Sequence, residues 1–93
     1  MSNSHDLKCW PEHFMAVAAG RKTFEVRRND RDFHEGDHVR LHEWDQRDED
    51  HYSGRVIDLT VGTVLDIDGD RVVFSILPYP LINPIPRPPV GFE

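Results

Sequence analysis

Proline placement constrains this chain more than any other feature. Six of its seven prolines fall in the last sixteen residues, at Pro78, Pro80, Pro84, Pro86, Pro88 and Pro89, and the seventh is Pro11. Proline fixes φ and gives no backbone donor, so it excludes a regular helix or a central strand wherever it is dense. Regular structure is therefore expected before Pro78. Residues 1–77 read as one small domain and residues 78–93 as an extended, proline-rich tail, whose alternative use is as a ligand for a partner's groove. At 93 residues the chain has room for one modest core and none for a second lobe that closes over a large substrate.

Within the first 77 residues the pattern is mixed. Leu7 to Trp10 suits a short strand. Pro11 suits the first position of a helix, Glu12 its positive end, and Gly20 its stop; Phe14, Val17 and Ala18 share a face of it. The helix is expected over Pro11 to Ala19. Thr23 to Arg28 alternates, with Phe24 and Val26 on one side and Thr23, Glu25 and Arg27 on the other. Asn29 to Gly36 reads as a turn. His38 to Trp44 alternates again, with Val39, Leu41 and Glu43 on one face. Gln46 to Ser53 reads as a charged loop, and Arg55 to Leu65 as a long strand in which Gly62 suits a bulge. Asp68-Gly69 is a hairpin signal before a last strand from Val72 to Leu77. One helix and four or five strands predict an α+β domain built on a curled sheet or small barrel.

Charge gives the first functional constraint. With 11 Lys and Arg against 17 Asp and Glu, the net charge is −6, which argues against wrapping a nucleic-acid backbone. The run Arg21 to Arg31 is different: five basic and two acidic residues give it +3. A basic island on an acidic protein suits an anionic ligand; the plain alternative is a solvated strand with weak surface ion pairs. Glu43, inward on its strand, needs a cationic partner, for which Lys22, Arg27 and Arg31 are the candidates. A lysine beside carboxylates in a partly dry cleft holds a ligand or serves as base or nucleophile; a structural ion-pair network is the competing reading.

Other groups point less far. His34, His38 and His42 would align on a helix, but the strand pattern leaves only His38 and His42 on one face, and the spacing of a zinc site is missing. Asp66, Asp68 and Asp70 mimic part of a calcium loop, yet Leu77 stands where the bidentate carboxylate belongs. No metal and no cofactor are expected. Cys9, the single cysteine, reads as a small buried group and makes a reducing cytoplasm the expected setting. Met1 to Cys9 lacks a signal-peptide core, and no apolar run reaches the ~20 residues of a membrane span. Trp10, Phe33, Trp44 and Tyr52 offer rings that stack a base or, more plainly, fill the core.

Taken together, His5-x-Leu7-Lys8, Trp10-Pro11, Phe14, Gly20-Arg21-Lys22-Thr23-Phe24-Glu25-Val26-Arg27, Asn29-Asp30-Arg31-Asp32-Phe33, Gly36-Asp37 and Leu41-x-Glu43-Trp44 resemble the small bacterial and phage domains of unknown function in the ASCH/PUA-like superfamily. The resemblance spans about Ser4 to Leu77. It implies a PUA-like β-barrel with a flanking helix and a cleft between them, lined by Lys22, Glu25 and Arg27. Relatives bind RNA, and some act on it or on modified nucleosides. Lys22 matches the lysine of ASCH-like amidohydrolases that deacetylate acetylcytidine, whereas Glu25 stands where they carry threonine.

The resulting expectation is a monomeric module that binds RNA or a modified nucleotide or nucleoside. Arg27 and Arg31 contact phosphate. Lys22 and Glu25, flanked by Thr23 and Asn29, read polar edges, Phe33 or Trp44 stacks, and Glu43 joins the same cleft. The alternatives are a hydrolase acting on RNA or a modified nucleoside, with Lys22 and Glu25 as its acid–base or nucleophilic pair, and a phage adaptor for a protein partner.

Overall fold

A computed structural model describes residues 3–80 of the chain. It is a small, mostly-β domain with one short helix. Five strands, β1 (Ser4–Cys9), β2 (Phe24–Arg28), β3 (His38–Trp44), β4 (Tyr52–Asp66) and β5 (Arg71–Pro78), and one helix, α1 (Pro11–Ala18), follow one another in the order β1-α1-β2-β3-β4-β5. The strands form one sheet in the spatial order β1-β3-β4-β5-β2. β1 runs parallel to β3, and all other neighbours are antiparallel. The sheet curls into a half-barrel that leaves β1 and β2 as its two edges.

Burial alternates on β1 and β3 as a half-buried sheet requires. His5, Leu7 and Cys9 of β1 face inward beside Val39, Leu41 and Glu43 of β3. Val61, Val72 and Phe74 complete the core from β4 and β5, with Phe14 and Val17 from α1. β1 begins at Ser4, three residues before the expected Leu7, because its polar start is held by pairing: Ser4 lies opposite His38. His5 is buried there and bonds the Asp37 carboxylate at 2.8 Å. That carboxylate, 1% exposed, also accepts the main-chain N–H groups of Asn3 and His34. Burial by itself would raise the Asp37 pKa, but the His5 ring and the two N–H donors hold it below the ordinary aspartate value.

α1 starts on Pro11 and ends in a Schellman motif. The Gly20 N–H reaches the Val17 carbonyl at 3.0 Å and the Arg21 N–H the Ala16 carbonyl at 2.9 Å, with Gly20 at φ +76°. This ending turns the chain into β2. β4 is longer than expected, starting at Tyr52, and carries the irregularity anticipated at Gly62, where the register shifts between Val61 and Val64. A Cβ at Gly62 would collide with the Ser75 hydroxyl, which instead accepts the Thr63 N–H at 2.9 Å. The hairpin at Asp68-Gly69 joins β4 to β5 as predicted, with Gly69 at φ +86°.

β5 extends one residue into the segment expected to be tail. Pro78 lies opposite Leu59, and its carbonyl accepts the Thr60 hydroxyl at 2.8 Å. A proline at the strand's last position supplies an acceptor where its missing donor is not needed. Tyr79 and Pro80 follow outside the strand, and residues 81–93 of the expected tail lie outside the described residues.

Candidate functional site: a cleft between the two sheet edges

β2 reverses the usual allocation of side chains. Phe24 and Val26 are 46% and 45% exposed, while Glu25 between them is 2% exposed. A buried carboxylate is costly unless it is paired and hydrogen-bonded. Glu25 meets that condition through its own neighbours. Lys22 Nζ donates to Oε1 at 3.1 Å and Arg27 Nε donates to Oε2 at 2.9 Å. The turn after α1 fixes Lys22 three residues ahead of Glu25, and strand periodicity places Arg27 on the same face two residues after it.

Arg27 also spans the opening of the half-barrel. Its Nη2 donates to the Lys8 carbonyl on β1 at 2.9 Å. Arg31 does the same to the Asp6 carbonyl at 3.0 Å. The two edges are thus tied by guanidinium groups, and among the described residues no strand pairing joins β1 to β2. The separation leaves a cleft of about 570 Å³. Lys8, His13, Lys22, Glu25 and Arg27 form its polar part, and Cys9, Trp10, Phe24 and Val26 its apolar lining. Burial, with help from the Glu25 charge, pushes the Cys9 thiol up to about 11, so it is a neutral wall and not a thiolate nucleophile.

A second compartment of about 650 Å³ adjoins the first through Lys8 and Arg27, and adds Asp6, Arg31, His42 and Tyr52. Lys8 Nζ lies over the Trp44 ring, 4.6 Å from its centroid, and Trp44 meets Trp10 edge-on at 5.6 Å. Lys8 and Arg27 thus line both compartments, Lys22 the first and Arg31 the second, in a protein whose net charge is −6.

The comparison with family models is decisive for kinship. A model described as a domain of unknown function, DUF3850, matches residues 4–76, from the first residue of β1 almost to the end of β5. The chain belongs to the DUF3850 family. A curated relative, an uncharacterized 12.9 kDa protein in the GpA 3′ region of Escherichia phage P2, is 33% identical over 67 residues. Those residues are 72% of this chain and 59% of the phage protein, so the chain spans less than two-thirds of that relative's length.

In this DUF3850 domain, Lys22, Glu25 and Arg27 come together, and Arg31 lines the adjoining compartment. Other residues expected at the site lie elsewhere. Thr23 is exposed, and its carbonyl serves the sheet by accepting the Ile76 N–H. Asn29 lines a depression formed with the β4–β5 hairpin. Phe33 is 6% exposed and packs between His5 and Phe74, with ring centroids 4.6 and 4.8 Å away. Its place is in the core, because an aromatic ring gains more from that contact than from solvent. Trp44 is half-buried beside Trp10 and lines neither compartment.

Glu43 does not join the Glu25 cluster. Its partner is none of Lys22, Arg27 or Arg31 but Arg55, whose Nε and Nη2 bind its two oxygens at 3.0 and 2.7 Å. A register shift between His42 and Trp44 brings Arg55 of β4 to it. The Ser53 hydroxyl and then Arg55 hold the Glu43 carboxyl below the usual glutamate range. This fork sits in a separate acidic depression with Asp45, Asp48 and His51.

Proposed function

We propose that the cleft between β1 and β2 binds RNA or a nucleotide, modified or not, and that the domain is a PUA-like member of the ASCH superfamily. The observation that carries this reading is the paired Glu25 carboxylate, set between Lys22 and Arg27 in a cleft that also carries the apolar surfaces of Cys9, Trp10, Phe24 and Val26. Such a site presents donors and an acceptor to the edge of a planar heterocycle and an apolar wall to its faces. Lys22 and Arg27 keep further donors for a phosphate, because each uses only part of its capacity on Glu25 and Lys8. The cations concentrated along the groove attract a polyanion that the rest of the surface repels.

Recognition suits this pair better than acid–base catalysis does. Glu25 is engaged at both oxygens, so it offers a fixed hydrogen-bond acceptor and not a mobile base. The described residues include no helix long and apolar enough to cross a membrane, and a monomer acting in the cytoplasm fits the reading. The test is titration of nucleotides and short single-stranded RNAs, followed by the fluorescence of Trp10 at the cleft. Binding is expected to weaken steeply with added salt and to be lost in Lys22→Ala. Salt-independent binding that Lys22→Ala leaves unchanged would contradict the proposal.

A further inference from the structure

The polar groups around Glu25 stand in a fixed order. Lys22 Nζ donates to Oε1 and Arg27 Nε to Oε2, so the sequence of groups is donor, acceptor, acceptor, donor. Each oxygen of an ionised carboxylate accepts two hydrogen bonds. Arg27 Nη2 also lies 2.9 Å from Oε2, but its hydrogen bond goes to the Lys8 carbonyl. Each oxygen of Glu25 therefore keeps one acceptor position without a partner among the described residues. The side chain is 2% exposed and yet lines the first compartment. A shielded acceptor gains more from a donor that reaches it than an exposed one does.

Trp10 offers the same compartment an aromatic surface. It is 38% exposed, and its ring is held from outside the cleft. The Arg47 guanidinium lies over it, 5.5 Å from the centroid, and is itself fixed by Asp45 at 2.8 and 3.0 Å and by Glu12 at 3.3 Å. A ring fixed in advance loses little freedom when a base stacks on it. The four common bases differ in the edge they bring to the carboxylate. Guanine alone carries two adjacent donors, N1–H and N2–H, flanked by the acceptors O6 and N3. Its order, acceptor, donor, donor, acceptor, complements that of the site. Adenine and cytosine set a ring-nitrogen acceptor beside their amino group, and uracil has one N–H between two carbonyls. Each of these would bring an acceptor against a carboxylate oxygen and leave both without a donor.

We propose that the first compartment selects guanine: Glu25 accepts N1–H and N2–H, Lys22 donates to O6, and the base stacks on Trp10. This rests on the binding reading above and adds to it the identity of the base. The order of groups also orients the nucleotide. With O6 at Lys22, the N3 side of the base and the sugar beyond it fall on the side of Arg27. Arg27 lines the second compartment as well, with Lys8 and Arg31, and these three cations are the groups available to the phosphate.

The experiment titrates the full chain with the 5′-monophosphates of guanosine, adenosine, cytidine, uridine, inosine and 1-methylguanosine. Amide shifts of Lys22 to Arg27 report occupancy, and an upfield shift of the base protons reports stacking. The guanosine nucleotide is expected to bind about 10-fold or more tightly than those of adenosine, cytidine and uridine. Inosine lacks the N2 amino group and is expected to bind about 10-fold more weakly than guanosine. The methyl group on N1 is expected to abolish the shifts at Lys22 to Arg27. Glu25→Gln presents one acceptor and one donor, and is expected to lose the preference for guanine. The nucleotide series needs only the wild-type chain, so its result stands whether or not that variant folds. Equal affinity for the four common nucleotides, or for guanosine and inosine, would overturn the inference and leave the binding reading standing. If no nucleotide shifts any residue of the cleft, both fall.

Discussion

Arg27 joins two parts of the fold that the sheet leaves apart. Its Nε binds the buried Glu25 carboxylate at 2.9 Å, and its Nη2 caps the Lys8 carbonyl on the opposite sheet edge at the same distance. One guanidinium thus neutralises an interior charge and spans the open side of the half-barrel. A lysine has neither the planar fork nor the second donor set to do both.

Arg27→Ala is therefore expected to cost about 2–4 kcal/mol of stability, since it removes a partner from a buried carboxylate and exposes an edge carbonyl. Arg27→Lys should recover only part of the loss. Urea unfolding monitored by circular dichroism measures both, and a loss below about 1 kcal/mol for Arg27→Ala would show the bridge to be an ordinary surface contact.

Lys22 carries a different share. Its removal leaves Glu25 with Arg27, so Lys22→Ala should cost only about 1.5 kcal/mol while ligand binding disappears. Lys22→Arg separates holding from proton transfer. Arginine keeps the charge and donors but does not release its proton, so retained binding in Lys22→Arg identifies Lys22 as a holding group.

Phe33 marks where sequence and structure part. As a ring in a polar, turn-like run it looked available to a ligand, but it is packed against Phe74. Phe33→Ala is expected to cost about 3–5 kcal/mol, which for a domain of this size is a large share of the total. Thermal unfolding decides the matter: an unchanged midpoint would return Phe33 to the binding surface.

What the residues reveal by themselves is local. The helix on Pro11, the strand from His38 to Trp44 and the hairpin at Asp68-Gly69 were legible because periodicity and turn chemistry lie within a few residues of one another. The paired neighbours of Glu25 were legible for the same reason. The pairings that escaped are long-range. His5 finds Asp37 across 32 residues, and Glu43 finds Arg55 only through a register shift between β3 and β4. Alternation gives Phe24 and Val26 a common side but does not say which side is interior. That depends on Glu25 bringing its own counter-ions.

Asp37 supplies a pH test. Its folded pKa lies below the ordinary value of 3.8, so ionised Asp37 stabilises the native state. The contribution is complete above the unfolded value and is lost as pH falls through the lower, folded one. Wild type should lose stability progressively on acidification below about pH 4, with a shallower slope in Asp37→Asn. Identical slopes in the two proteins, measured by urea unfolding at each pH, would assign the acid sensitivity to other carboxylates.

The central claim is that the two sheet edges enclose a nucleotide site around Glu25, and backbone amide chemical shifts measured during titration with a short single-stranded RNA test it most directly. The account predicts that the largest changes fall on Lys8, Trp10 and Lys22 to Arg27, and that they shrink as salt is raised. Changes centred instead on the acidic depression around Glu43 and Arg55, or no changes at any RNA concentration, would contradict it.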